Sequence, residues 1–230
     1  MIIAIVQARM GSARLKGKVM MKAAGRPLLA HVVERVKACS LIDDVVVATT
    51  NFPEDDAILS WCQTNQVNSI GWTRKLPDGH NDVLARFLQV VQRFPADHYV
   101  RVTGDCACWS PALGAEVIAE HLIAEHIGSG LDYTSNVHPF VDGFDTEIFT
   151  HALLMEAEQK ATSNFDRQHV TPWMRMNAIC GYVDHTLYGK IDLSVDTEED
   201  FQRVKLILEH VRDFSHTETL RVAKEVRADV

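Results

Sequence analysis

A short stretch near the amino terminus concentrates the residue types that handle polyanions: Arg9, Arg14, Lys16 and Lys18, interspersed with Gly11, Ser12 and Gly17. The apolar run Met1–Val6 before it is too short for a helix and delivers the chain into this basic segment as a buried strand would. A loop leaving the carboxyl end of such a strand can turn its backbone N–H groups inward, as phosphate-holding loops do. Gly11 and Gly17 let the backbone come close, Ser12 adds a hydroxyl, and the cations neutralise a triphosphate. Neither G-x-G-x-x-G nor G-x-x-x-x-G-K-[ST] is present, and composition by itself leaves open a solvated basic loop.

Carboxylates supply the complementary chemistry. The β-rich run from His98 to Thr103 ends in Gly104-Asp105, which presents Asp105 where open α/β sheets bind ligands and makes it the first candidate metal ligand. Asp145 and Glu147 share one face of an extended segment from Phe140 to Phe149, where they could bind sugar hydroxyls, support a metal or line an exposed strand edge. Asp82 and Arg86 open a helix and read, by type alone, as a cap and a surface arginine. His169 either orients a substrate or completes a helix contact. Asp196 closes an expected strand, Ile191–Val195, before an acidic helix start, and serves as a cap or a ligand. His121 and His126 lack convincing metal-site neighbours and read as packed or solvated.

The elements that must position these groups alternate. Leu28, Leu29, Val32, Val33 and Val36 recur at helical spacing, and Ile42–Thr50 reads as a buried parallel strand. Pro53-Glu54-Asp55-Asp56 opens the next helix with acids suited to its first turn. A short strand over Val67–Trp72, helices from Asn81 and over Ala112–Glu125, a strand over Leu131–Asn136 and a final helix from Thr217 complete the pattern. The fold class expected is α/β, a mainly parallel sheet with helices on both faces.

Composition sets bounds. With 230 residues, 47% hydrophobic and 23% charged, the chain suits one domain over residues 1–230. A formal net charge of −8 argues against a broad nucleic-acid face, so the basic loop stands out as a site for a small anion. The sequence shows no signal pattern and no membrane-length apolar run, which predicts a cytoplasmic protein with no membrane partner. The five cysteines are scattered without a C-x-x-C pair and read as reduced thiols, with Cys106 and Cys108 packing on one strand face.

The spacing Arg9-x-x-Ser12-x-Arg14-Leu15-x-Gly17-Lys18 resembles the amino-terminal signature of the cytidylyltransferases that activate acidic sugars, the CMP-sialate and CMP-Kdo synthetases. It is closer still to spore coat polysaccharide biosynthesis protein F-like members. Further matches are Asp82-Val-Leu-x-Arg86, Arg101-x-Thr103-Gly104-Asp105-Cys106, the Asp142-Gly-x-Asp145-x-Glu147 run, Arg167-x-His169-Val-Thr171-Pro172 and Val195-Asp196 with Asp200-Phe201. The chain departs from the family pattern at Lys16, Ala107, Ser110 and Gln168, and in the residues before Asp82.

The resemblance covers the chain to about Phe201 and implies a nucleotide-diphospho-sugar transferase type of fold. It implies nucleotide binding by Arg9, Gly11, Ser12, Arg14, Gly17, Lys18, Asp82 and Arg86, with Arg9, Lys18 and Asp105 catalytic. Magnesium would be held by Asp105 and Asp196, and an acceptor sugar would face Asp145, Glu147 and His169. The implied reaction transfers CMP from CTP to a sugar, acidic by analogy, releasing pyrophosphate for surface polysaccharide or glycan synthesis. A homodimer built through residues 142–173 is implied as well. Two alternatives remain: a glycosyltransferase using a ready-made nucleotide sugar, and a non-catalytic nucleotide-binding protein.

Overall fold

The structure, a computed structural model, describes residues 1–77, 79–137, 142–185 and 191–228. Phe140 and Val141, which open the expected extended segment, lie outside the described residues, as does Asp78. The first strand, β1 (Ile2–Gln7), is apolar and buried from Ile2 to Val6 because both its faces are covered, and ends in the half-buried Gln7. Ile2, Ala4 and Val6 enter one hydrophobic cluster, while Ile3 and Ile5 enter a second on the opposite face. This alternation is what a strand buried between two helical layers requires.

The basic loop follows β1 and ends in a 3₁₀ turn at Lys18–Met20, then a short hairpin of β2 (Lys22–Ala23) and β3 (Arg26–Pro27). Next come α1 (Leu28–Lys37), β4 (Asp44–Thr49), a 3₁₀ turn at Pro53–Asp55, α2 (Asp56–Thr64), β5 (Asn68–Gly71), α3 (Val83–Arg93) and β6 (His98–Thr103). The second half contains α4 (Pro111–His126), β7 (Tyr133–Ser135), β8 (Glu147–Thr150), α5 (His151–Lys160), α6 (Asn164–His169) and α7 (Pro172–Asn177). The chain finishes with β9 (Cys180–Tyr182), α8 (Glu198–His210) and α9 (His216–Ala228).

The seven-stranded sheet has the order β5-β4-β1-β6-β8-β7-β9. β5, β4, β1 and β6 are parallel, β8 runs antiparallel to both its neighbours, and β7 pairs parallel with β9. Residues of α1, α2, α4, α8 and α9 pack on one face, and residues of α3, α5 and α7 on the other. The expected mainly parallel α/β sheet is therefore present, with one reversed strand. Because β4 and β6 flank β1 on opposite sides, the carboxyl ends of β1 and β6 form a switch point where such sheets open a crevice.

Three local expectations differ from the structure. Ile191–Val195 forms no strand: Leu193 N–H donates to the Asp142 carbonyl (2.7 Å) and Val195 N–H to the Asp105 carbonyl (3.2 Å), so the segment bonds two separate loops. Cys106 and Cys108 lie in a turn beyond β6 rather than on a strand, both buried and free. Asp55 makes no helix-cap bond, because its carboxylate points elsewhere, as described below. His121 is packed as expected, buried within hydrogen-bond distance of Thr134 Oγ1 (3.0 Å) and His98 Nδ1 (3.2 Å).

The turn carrying Asp105 rests on Trp109, which is fully buried and donates from Nε1 to Thr146 Oγ1 at 3.0 Å. Gly114 on α4 gives the indole room, since a Cβ there would lie 2.2 Å from Cζ2 and 2.4 Å from Cη2. Alanine ordinarily stabilises a helix interior over glycine by about 1 kcal/mol. Here overpacking reverses the sign, and Gly114→Ala should destabilise the protein by roughly 1–3 kcal/mol. Urea denaturation measures this, and a midpoint at or above wild type would refute tight packing under the turn.

Candidate active site

A cleft of about 300 Å³ opens at the switch point between β1 and β6. The basic loop contributes Arg9, Ser12, Arg14 and Lys18, and the end of β6 contributes Thr103, Gly104 and Asp105. Val83 and Arg86 line it from α3, Gln168 and His169 from α6, and Asp196 from the segment before α8. Four cationic side chains thus meet two carboxylates in a chain whose net charge is −8. Such a local excess of positive charge concentrates a polyanion.

Backbone geometry builds the loop. Gly17 has φ +74° and its N–H donates to the Met10 carbonyl at 2.8 Å, closing the loop in a conformation that favours glycine. Gly104 N–H donates to the Gln7 carbonyl at 2.9 Å, and a Cβ at Gly104 would lie 3.0 Å from that oxygen. The absence of a side chain there lets β6 and the start of the loop approach. Gly11 shapes the loop without lining the cleft.

Lys18 sits at the centre. Its Nζ donates to Asp105 Oδ2 (2.7 Å), Asp196 Oδ1 (2.9 Å) and the Val195 carbonyl (2.5 Å). Arg14 Nη2 is 2.8 Å from the other oxygen of Asp196. Burial works against the charged form of Lys18, but the Asp105 and Asp196 carboxylates outweigh it and hold the ammonium above its ordinary pKa. Burial opposes the Asp105 charge as well, and Lys18 overcomes it, so that carboxyl titrates below its usual range. Two carboxylates close enough for one cation to touch both offer the hard oxygen donors that magnesium takes. Among the described residues, no group of three or more His, Cys, Asp or Glu side chains converges into a fuller cage.

Arg86 is buried and donates from Nε to the Trp72 carbonyl at 3.1 Å. Its Nη2 is buried with no partner in the structure. Burial and the nearby Arg9 charge lower its pKa to about 10. A guanidinium held this way, lining a cleft, retains hydrogen-bond capacity for a ligand.

The remaining expected residues lie elsewhere. Asp82 is 1% exposed and does not line the cleft. One oxygen caps α3 through Ala85 N–H (2.9 Å), and the other accepts from Arg74 (2.6 and 2.9 Å) and Arg167 (2.7 Å), so this carboxylate is consumed in holding α3 to α6. Glu147 is 2% exposed and bound to Arg101 and to the Tyr133 hydroxyl, within the sheet rather than at the cleft surface. The shared face expected for Asp145 and Glu147 fails because β8 begins only at Glu147. Asp145 lies just outside that strand and accepts from Gly143 N–H at 3.2 Å.

Asp55 is the anchor that sequence reasoning missed. Buried to 1% exposure, it accepts from Met10 N–H (2.6 Å), from Thr50 N–H (3.1 Å) and from the Thr50 hydroxyl. It therefore pins the basic loop to the end of β4. The only hint in the sequence was an acid following a strand that ends in hydroxyl residues.

The cytidylyltransferase family profile matches residues 3–226. The spore coat polysaccharide biosynthesis protein SpsF of Bacillus subtilis is 27% identical over 217 residues, covering 90% of this chain and 85% of that protein. The 3-deoxy-manno-octulosonate cytidylyltransferase of Koribacter versatilis is 28% identical over 246 residues, with coverage of 90% and 89%. The solved structure of a cytidylyltransferase from Leptospira borgpetersenii superposes with a TM-score of 0.88 at 25% identity, covering 99% of this chain and 95% of that one.

Burial, with the neighbouring Asp142 charge adding to it, raises the Asp145 pKa from 3.8 to about 7. The native state then keeps a proton that the unfolded chain releases, so this group's contribution is present below about pH 4 and lost as pH rises through 7. Asp145→Asn should accordingly stabilise the metal-free protein at pH 8 by roughly 2 kcal/mol and little at pH 4. Denaturation at both pH values tests this, and an equal effect at the two would remove the burial argument.

Proposed function

The chain belongs to the cytidylyltransferase family, and on that premise we propose that it transfers CMP from CTP to the hydroxyl of a sugar acid, releasing pyrophosphate. The observation that carries this reading is the apposition of the Arg9–Arg14–Lys18 loop to the Asp105–Asp196 pair across one cleft. The family relation supplies the cytidylyl donor. The octulosonate named in the Koribacter relative supports an acidic sugar as acceptor, and the polysaccharide named for the Bacillus relative supports glycan synthesis as its context.

Arg9, Arg14 and Arg86 bind the phosphates, with Ser12 and the loop N–H groups completing the cradle. Positioning and charge stabilisation dominate phosphoryl-type transfer, so the chief task of the chain is to hold the α-phosphate in line with the attacking hydroxyl. Lys18 keeps the Asp105 carboxylate ionised and holds Asp196 beside it, ready for the pair to hold magnesium. When bound, the metal supplies Lewis acidity at a phosphate oxygen. Magnesium commonly uses one or two carboxylates and completes its shell with phosphate oxygens and water, which this donor pair allows. His169 and Gln168, facing the basic loop from α6, orient the acceptor, and Asp145 is retained as a further acceptor contact.

Two broader features accompany the reading. A homodimer through residues 142–173 is favoured by the exposed Phe165 within that stretch. A cytoplasmic location accords with five free cysteines and with the lack, among the described residues, of a helix long and apolar enough to cross a membrane.

Pyrophosphate release in the presence of magnesium, with CTP, UTP, ATP or GTP against acidic and neutral sugars, should occur with CTP and one acidic sugar. Release with CTP only in the presence of a neutral sugar would overturn the acceptor class, and tight nucleotide binding without release would overturn transfer itself. Lys18→Ala and Asp105→Ala should each lower kcat by at least roughly 100-fold. Near-normal turnover in either variant, with the fold verified by circular dichroism, would remove the assigned role.

A further inference from the structure

The segment that brings His169 to the cleft contains a strained turn. Val170, immediately after α6, has φ +73° and ψ −57°, and Thr171 N–H donates to the His169 carbonyl at 2.9 Å. These are the angles and the bond of a γ-turn of the rare form, costly for any residue and most of all for a β-branched one. Such a conformation persists only where its surroundings enforce it. Val170 is fully buried among the residues packed beneath α3 and α5, which fixes one side of the turn.

The other side is fixed by Thr171. Although it precedes α7, its hydroxyl makes no cap bond to that helix. It donates instead to Glu147 on β8. Glu147 also accepts from the Tyr133 hydroxyl at 2.5 Å and forms an ion pair with Arg101 on β6. Arg101 in turn donates from Nε to Gln7 Oε1 at 3.1 Å, and Gln7 lines the cleft at the end of β1. One buried carboxylate is thus bonded toward both walls of the cleft. Toward β1 the path runs Glu147, Arg101, Gln7, and toward α6 it runs Glu147, Thr171, Val170, His169.

We propose that Glu147 is a positioning residue that couples the two walls, fixing Gln7 through Arg101 and His169 through the Thr171 hydroxyl and the γ-turn at Val170. A carboxylate buried this deeply is costly unless its oxygens are satisfied. Two of its three donors, Arg101 and Thr171, lead on to cleft residues that no single helix or strand holds together. The role of His169 toward an acceptor rests on the proposed transfer reaction, whereas the mechanical coupling does not.

The test uses the full chain with Thr171→Val, which keeps shape and removes the hydroxyl, and Glu147→Gln, which removes the charge. The His169 imidazole titration, followed by NMR, reads the coupling without turnover. In the native protein, burial followed by the charges of Arg101, His80 and Arg175 holds this imidazole below its ordinary pKa. Glu147→Gln leaves Arg101 uncompensated and should shift the midpoint further down, and Thr171→Val should move the ring resonances. With CTP and the accepted sugar, Thr171→Val should raise the acceptor KM roughly tenfold and leave that for CTP near wild type, as loss of a hydrogen bond to a charged group would do. Glu147→Gln should raise both.

Folded variants whose only change is a lower melting temperature, with His169 titration and both KM values as in wild type, would overturn the proposal. Should no sugar be accepted, the transfer reading fails and the His169 titration still decides the coupling. Should Glu147→Gln fail to fold, Thr171→Val decides it alone.

Discussion

An ammonium group lodged between two carboxylates and a carbonyl ties together three distant parts of this chain. Lys18 reaches Asp105 and Val195–Asp196, which follow it by 87 residues and by 177–178 residues. None of the three segments is regular secondary structure at the point of contact except the 3₁₀ turn that Lys18 begins. What holds them is charge at short range in a place where water is largely displaced, and there a pair is stronger and an unpaired partner more costly. The basic loop, the turn carrying Asp105 and the segment entering α8 therefore take their relative positions from one contact.

Three other buried carboxylates repeat the device around the cleft. Asp55 holds the basic loop to β4, Asp82 holds α3 to α6, and Glu147 links β6 and β7 to the turn after α6. Each accepts several hydrogen bonds, which is the condition for keeping a charge inside a protein. The bonds they accept come from donors other than Arg9 and Arg86. Arg86 retains an unpartnered Nη2, and Arg9 faces the cleft from the loop they brace. Acids in this chain thus divide by burial: the ones deepest inside build the walls, and Asp105 and Asp196 line the cleft.

The parts legible in the sequence were those in which a residue's type and its neighbours suffice. Met1–Val6 had to be a strand because an apolar run of that length, leading straight into glycine and cations, has no helical alternative. The cationic wall of the cleft followed from the loop's density of charge, and the position of Asp105 followed from its place at a strand's end. Asp82 and Glu147 were misplaced for one reason: a carboxylate near a motif looks the same in sequence whether it faces a ligand or a buried arginine. The Ile191–Val195 strand was misread because its apolar alternation suits a strand, yet it bonds two loops one hydrogen bond at a time.

The sequence by itself determined the parallel α/β sheet, the basic loop after its first strand, and the places of Asp105 at the end of β6 and Asp196 before α8, because these depend on local pattern and on motifs contiguous in the chain. Only the tertiary structure decided that Lys18 stands between those carboxylates, that Asp55 anchors the loop, and that Glu147 is bonded toward Gln7 and, through a strained valine, toward His169. Those outcomes turn on which buried donor reaches which buried acceptor across long stretches of chain. That pairing is fixed by how the layers pack, and no periodicity in the sequence encodes it.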